Sequence, residues 1–197
     1  MIDIHPNEIA GPWVKGFALD DHTVHSDYLG EDEFGHPQFE TRRSEMGELL
    51  YRLKFKGDTT VLKLIADTAA DFIRSRDLPA DLVVPVPPSN IERAVLPSLA
   101  VGEGIAERLQ IPVCCDCVVK VKQTPELKNL FDRSARSKAL ENAFRASESE
   151  LAGRSVLLFD DLFRSGATLG AVTGALYASG KAAEVYGIAL TKTRRLR

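Results

Sequence analysis

The sequence predicts an α/β protein in which a mostly parallel, twisted sheet is flanked by helices. Short apolar runs, such as residues 82–86 and 155–159, are typical of buried strands. Between them lie longer segments whose apolar residues recur every three or four positions, as on one face of a helix. Because strands and helices alternate along the chain, we expect parallel strands with helices on both faces of the sheet.

The composition is that of an ordinary globular protein. With 197 residues, 44% of them hydrophobic and 27% charged, the chain is long enough for one well-buried domain with a small appendage. A net charge of −3 disfavours nucleic acid as a partner, and the basic residues 192–197 are interpreted as a solvated tail. The sequence has no apolar run of membrane length and no signal-peptide plan, so we expect a cytoplasmic protein without a membrane partner.

Residues 1–43 differ from the rest and are predicted to form a small β-rich appendage, with residues 44–197 as the main domain. Residues 11–19 alternate loosely, as in a short strand, and the polar stretch after them is broken by glycine and proline. A β-ribbon or meander is therefore expected. We interpret its acidic and histidine residues as solvated, with a metal site as the alternative; they are Asp20, Asp21, His22, His25, Asp27 and His36.

Apolar spacing and capping residues place the elements of the main domain. The first four are a helix from Glu45 to Gly57, a helix capped by Asp58 or Thr59 that ends before Pro79, a strand over 82–86 and a helix that begins near Pro97. The last four are a strand over 113–121, a strand over 155–159, a helix from near Thr168 to Gly180 and a strand over 184–190. The cysteines Cys114, Cys115 and Cys117 are interpreted as buried thiols on the strand over 113–121.

Residues 156–168 carry the strongest functional signal. Four apolar residues are followed by Asp160 and Asp161, then by a short loop of small residues and the start of a helix. Unpaired amides and the positive end of a helix dipole in such a loop favour an anion such as phosphate. Ser165 and Thr168 add hydroxyl donors, and Gly166 allows close approach of the backbone. The two carboxylates would then serve vicinal sugar hydroxyls or a metal bound there.

This segment resembles the phosphoribosyl-pyrophosphate (PRPP) signature of type I phosphoribosyltransferases, although Arg164 stands where a small hydroxyl residue is common. The resemblance implies the type I phosphoribosyltransferase fold. It also implies that Asp160 and Asp161 hold the ribose 2′ and 3′ hydroxyls of PRPP. The 5′-phosphate would be enclosed by Phe163, Arg164, Ser165, Gly166, Ala167 and Thr168. An ordinary turn whose acids cap the following helix is the alternative.

A narrower resemblance is to ComF (competence protein F) proteins without their N-terminal zinc segment, because Pro-Val-Pro at 85–87 is followed by an arginine. It implies a pyrophosphate loop formed by Pro87, Pro88, Ser89, Asn90 and Arg93, for which a proline-stiffened turn is the alternative. It also implies a basic lid that carries Lys122, Lys128, Arg133 and Arg136, for which a solvated charged face is the alternative. The glycine and asparagine that ComF proteins carry after the arginine are missing here.

The function implied by these resemblances is binding of PRPP, or of another ribose 5-phosphate ligand, with transfer of phosphoribosyl to or from a nitrogenous acceptor. Mg²⁺ would enter with PRPP and bridge pyrophosphate and ribose oxygens, with Asp160 and Asp161 as indirect partners. Such an enzyme is a pentosyltransferase. The alternative is a non-catalytic PRPP or nucleotide binder with a regulatory or DNA-uptake role. Formation of a homodimer is left open.

Overall fold

The computed structural model describes residues 2–88, 94–122 and 138–194. The strands in this part of the chain are β1 Asn7–Glu8, β2 Lys15–Asp21, β3 Thr23–Glu31, β4 Pro37–Arg43, β5 Leu82–Pro85, β6 Val118–Lys120, β7 Phe144–Ala146, β8 Ser155–Phe163 and β9 Glu184–Lys192. The α-helices are α1 Glu45–Lys56, α2 Leu62–Ser75, α3 Pro97–Leu109, α4 Glu148–Leu151 and α5 Ala167–Ala178, and a 3₁₀ turn over Thr59–Val61 precedes α2.

The central sheet has the strand order β1-β2-β9-β8-β5. Its neighbours β2, β9, β8 and β5 are parallel, and only β1 runs antiparallel at one edge. Helices cover both faces, which confirms the predicted fold class. Among the described residues, no helix combines the length and apolar character needed to cross a bilayer.

Side chains that alternate along β8 divide the core into two layers. Leu157 and Phe159 pack on one face with residues of α1, α2 and α3. Val156 and Leu158 pack on the other face with α5. All four side chains are fully buried. A strand covered on both faces is apolar throughout, which is why its sequence shows a continuous run rather than an alternation.

The strand β8 is longer than the sequence predicts. The acidic pair is predicted to end the strand, but the pairing with β9 continues through Asp160 opposite Ala189 to Phe163 opposite Lys192. The reason is that β9 itself extends to Lys192 and offers partners to the last residues of β8. Both carboxylates therefore stand on a regular strand rather than in a loop.

The N-terminal segment takes part in two sheets. The strand β2 is paired in parallel with β9, with Lys15 opposite Tyr186, so it belongs to the central sheet. Residues after it form the separate antiparallel ribbon of β3 and β4, most of whose residues are exposed. The division at residues 43 and 44 stays a prediction about domains, and this pairing places β1 and β2 in the same sheet as the main domain.

The prediction for residues 113–121 is wrong as a single strand. Val113 forms only an isolated parallel bridge with Val83, the chain bends at residues 115–117, and β6 then pairs with β7 in a different sheet. The bend is closed by a disulfide between Cys114 and Cys117, whose Cα atoms are 5.5 Å apart. The interpretation of three buried thiols is therefore also wrong, because only Cys115 is a free thiol and it is partly exposed.

Candidate functional site

Asp160 and Asp161 lie near the carboxyl end of β8, at the edge of the sheet where ligands of open parallel sheets collect. The amide of Asp161 donates to Asp160 Oδ1 over 2.8 Å. Burial, and next the negative charge of Asp161, raise the pKa of Asp160 from 3.8 to about 7. Near neutral pH, both forms of this carboxyl group are therefore populated: the protonated form can donate a hydrogen bond, and the ionised form only accepts hydrogen bonds.

Lys54 is the counter-charge of this acidic pair, and the sequence alone assigns it no role. Its Nζ lies 2.6 Å from Asp161 Oδ2, and the two side chains are only 20% and 15% exposed. Lys54 belongs to the last turn of α1, where a cation interacts favourably with the helix dipole. Its position in a basic helix end is the available signal, but the sequence does not show which acid it meets 107 residues later.

The start of α1 is anchored to the end of β2. Ser44 Oγ donates to the carbonyl oxygen of Asp21 over 2.6 Å and accepts from the Gly47 amide over 3.0 Å, so it ties the helix to the end of β2. Gly47 has no room for a Cβ, because the carbonyl of His22 occupies that space. The helix can therefore approach β2 closely enough to reach across the sheet edge to β8.

The loop after β8 forms a small cup. Gly166 is the N-cap of α5 in a left-handed conformation, with φ of 79°, and no side chain caps the helix. The first amides of α5 therefore face the cup unpaired by a capping side chain. The cavity has a volume of about 70 Å³, room for a few water molecules or a phosphoryl group. It is lined by Asp160, Leu162, Phe163, Arg164, Ser165, Gly166, Ala167, Thr168 and Leu169.

Backbone and ring contacts hold this loop in place. The Thr193 amide donates to the Phe163 carbonyl over 3.0 Å. The rings of Phe163 and Trp13 form a T-shaped pair with centroids 6.3 Å apart, and the Phe163 ring lies where a Cβ on Gly166 would project. The structure therefore brings the proposed phosphate residues and Asp160 into one cavity. Their assignment to a sugar phosphate stays a prediction.

The predicted pyrophosphate loop begins beside the same site. β5 pairs with β8, and the Val86 amide donates to the Phe159 carbonyl over 2.8 Å, immediately before Asp160. Pro87 and Pro88 come next in the chain and are partly exposed. The other predicted members, Ser89, Asn90 and Arg93, lie outside the described residues.

The predicted lid begins and ends at the small sheet of β6 and β7, in which Val118 is opposite Ala146. Lys122 is exposed just after β6. Lys128, Arg133 and Arg136 lie outside the described residues, and the role of all four stays a prediction.

The N-terminal acidic and histidine residues do not come together as a metal site. His25 contacts Asp27 at 2.7 Å on the exposed ribbon, and His36 contacts Asp32 at 3.4 Å. Within the described ranges, the one group of three potential ligands whose atoms lie within 4.8 Å of one another is Cys114, Asp116 and Cys117. Two of these three are the cysteines joined by the disulfide.

His22 is the member of that N-terminal set that lies near the acidic pair. Its Nδ1 is 3.1 Å from the hydroxyl of Thr191 on β9. Burial, followed by the positive charges of Arg43 and Lys54, lowers the pKa of His22 below its usual value of 6.5, although Asp161 opposes this effect. We therefore expect a neutral imidazole at this end of the sheet near pH 7.

A comparison of the sequence with protein-family models finds no match, and neither does a comparison with curated proteins. Solved structures do match. The glutamine PRPP amidotransferase from B. subtilis, complexed with ADP and GMP, is similar over 81% of this chain and 34% of its own, with 18% identity and a TM-score of 0.51. The UMP synthase of Leishmania donovani is 15% identical over 85% of this chain and 28% of its own, with a TM-score of 0.45.

A third similar structure is the adenine phosphoribosyltransferase from Leishmania tarentolae. It is 15% identical, the match covers 95% of this chain and 94% of that one, and the TM-score is 0.48. The match to the amidotransferase, the one of these three with a TM-score above 0.5, supports the type I phosphoribosyltransferase fold for this chain. At these identities the likeness concerns the fold alone, and this chain spans about a third of the length of the amidotransferase. The narrower resemblance to ComF proteins stays a prediction.

Proposed function

We propose that this protein binds PRPP and transfers its phosphoribosyl group to or from a nitrogenous acceptor. One observation carries the proposal: Asp160 and the amide end of α5 line the same cavity at the carboxyl edge of a parallel sheet. A phosphate and a sugar diol held a few ångströms apart would use both features at once. The amides and the helix dipole favour the phosphate, and carboxylates accept hydrogen bonds from hydroxyls.

In the proposed reaction, the acceptor nitrogen forms a bond to the anomeric carbon while the bond from that carbon to pyrophosphate breaks. Pyrophosphate leaves with the bonding electron pair, and the N–H proton of the acceptor passes to solvent water. Positive charge develops on the sugar ring, so the nearby carboxylates stabilise the transition state electrostatically. Most of the rate enhancement would come from holding the two reactants in line. Mg²⁺ that arrives with PRPP would offset the charge of pyrophosphate.

A non-catalytic role in regulation or DNA uptake, with PRPP or a nucleotide as the bound ligand, is the second candidate. One observation favours it. The loop after β5 starts with Pro87 and Pro88, which have no amide to donate to a pyrophosphate oxygen. A phosphoribosyltransferase that releases pyrophosphate needs donors at this position, so turnover would depend on residues 89–93.

Two measurements on the full chain separate the candidates. The first is calorimetric titration of PRPP in the presence of Mg²⁺, and the second is an assay of pyrophosphate release with a panel of purine and pyrimidine bases. Binding together with release that depends on one base supports the enzyme. Binding without release on any base supports the regulatory role. If PRPP does not bind, the enzyme is wrong, and if nucleotides titrated in the same way do not bind either, the regulatory candidate is wrong too.

A further inference from the structure

The ion pair between Lys54 and Asp161 differs from an ordinary surface salt bridge. The contact is 2.6 Å long, and at least four fifths of each side chain is removed from solvent. Removing one partner of such a pair leaves an uncompensated charge in a poorly solvated place, which is costly. Lys54 is therefore a stronger electrostatic partner of Asp161 than an exposed lysine would be.

Lys54 brings one positive charge into direct contact with the acidic pair, because its Nζ lies 2.6 Å from Asp161 Oδ2. In the described part of the chain, no second lysine or arginine is ion-paired with Asp160 or Asp161.

A divalent cation held directly by this pair does not fit these contacts. Mg²⁺ needs oxygen ligands in octahedral geometry about 2.0–2.1 Å away. Asp161 Oδ2 contacts the Lys54 ammonium group and Asp160 Oδ1 accepts from the amide of Asp161, so only one oxygen of each carboxyl is left for a metal ion. A metal ion at the same carboxylate would also be repelled by the ammonium charge.

We propose that Lys54 takes the place of a metal ion at the acidic pair. Lys54 is in this sense a positioning residue, since it acts on a ligand through Asp161. This inference rests on the proposed function and deepens it: the sugar hydroxyls would be held by a carboxyl pair whose counter-ion is a side chain, and Mg²⁺ would enter only with the ligand.

The first test uses Mn²⁺ alone as the probe and does not depend on PRPP. The full chain is titrated with Mn²⁺, and free ion is measured by electron paramagnetic resonance. We expect Lys54→Met to gain a Mn²⁺ site at least tenfold tighter than any in the unchanged protein, and Lys54→Met combined with Asp161→Asn to lose it. Lys54→Arg, which keeps the charge, should gain no site.

The chain has a second pair of adjacent acids, Asp20 and Asp21, at the end of β2. Lys192 offers a matched control, because its Nζ lies 3.6 Å from Asp21 Oδ1. Lys192→Met should leave Mn²⁺ binding at Asp161 unchanged. The proposal is wrong if the unchanged protein binds Mn²⁺ as tightly as Lys54→Met does and if Asp161→Asn abolishes that binding. If Lys54→Met does not fold, as judged by circular dichroism, the same titration of Lys54→Gln decides.

The second test connects Lys54 with the sugar ligand. Ribose 5-phosphate is titrated by calorimetry, once with Mg²⁺ and once with a chelator. For the unchanged protein, the affinities for ribose 5-phosphate with Mg²⁺ and with the chelator should agree within twofold. Lys54→Met should bind ribose 5-phosphate at least tenfold more weakly with the chelator and recover part of this loss with Mg²⁺. Binding by the unchanged protein that requires Mg²⁺ overturns the proposal. No binding at all contradicts the proposed function, and the Mn²⁺ titration then still decides the role of Lys54.

Discussion

Asp20 and Asp160 make the same local hydrogen bond on the two strands that flank β9. In each case Oδ1 accepts from the amide of the following aspartate over 2.8 Å. The two strands lead to different elements: β8 leads into the uncapped start of α5, whereas β2 leads into the exposed ribbon. The two acidic pairs therefore share a local geometry, and β8 is distinguished by the helix that begins beside its pair.

The first prediction is that replacing Asp160 and Asp161 by asparagine weakens PRPP binding more than tenfold. Hydrogen bonds to a charged group contribute about 1.5–3 kcal/mol each, so loss of even one exceeds a tenfold change. Calorimetric titration with Mg²⁺ present measures the effect. Asp20→Asn is the matched control, because Asp20 makes the same backbone contact away from the cup, and its affinity should stay within twofold. Unchanged affinity in the double variant would remove the ribose assignment.

The second prediction concerns the pH dependence of stability. Unfolded Asp160 ionises near 3.8, whereas in the folded protein its pKa is about 7. Between these values the folded state holds the extra proton, so the contribution of Asp160 to stability decreases as pH rises. Asp160→Asn removes this loss.

Urea denaturation of both proteins from about pH 5 to about pH 8 measures this pH-dependent loss of stability. Relative to the unchanged protein, Asp160→Asn should gain stability on the order of 2 kcal/mol as the pH rises across that range. A difference between the two proteins that does not vary with pH would mean that Asp160 ionises at its ordinary value.

The third prediction concerns the cysteines. Without reductant, a thiol titration of the denatured chain should detect one free thiol, Cys115, and with reductant all three cysteines. The loop closed between Cys114 and Cys117 is short, so the loss of stability on reduction should be on the order of 2 kcal/mol. In the double variant Cys114→Ser, Cys117→Ser, the melting temperature should no longer depend on reductant. In Cys115→Ser, reductant should still lower the melting temperature. Three free thiols without reductant would contradict the disulfide.

The fold and the cup could be predicted because their signals are local. The apolar run of β8, the acidic pair and the small residues before α5 lie within about a dozen consecutive positions, and strand and helix spacing are readable there. The pairing of Lys15 with Tyr186 and the contact of Lys54 with Asp161 join residues more than 100 positions apart. No periodicity in one sequence records such contacts, since tertiary packing decides them.

The cysteines show a different limit. The apolar residues over 113–121 predict a strand, yet a bend at 115–117 separates Val113 from β6. The spacing of Cys114 and Cys117, with two residues between them, suits a tight disulfide-closed bend better than a strand. A pattern of hydrophobic residues alone does not distinguish these two conformations.

The fourth prediction is that Gly166→Ala damages both the stability of the fold and the anion cup. The φ of 79° is unfavourable for alanine, and its Cβ would lie 2.9 Å from the Phe163 ring. We expect a destabilisation on the order of 1–2 kcal/mol in urea denaturation. We also expect ribose 5-phosphate affinity to fall at least tenfold, because the displaced Phe163 ring and the first amides of α5 border the same cavity.

Gly174 is the control for this change, since it lies inside α5 and a Cβ there would meet no atom within 4 Å. Alanine has the higher helix propensity, so Gly174→Ala should stabilise the protein by about 0.5–1 kcal/mol and leave ribose 5-phosphate affinity unchanged. The comparison separates an effect on the cup from a general effect on the helix. If Gly166→Ala binds ribose 5-phosphate as well as Gly174→Ala does, the backbone at residue 166 does not form the phosphate site. The assignment of residues 163–168 would then be wrong even if the destabilisation is as large as expected.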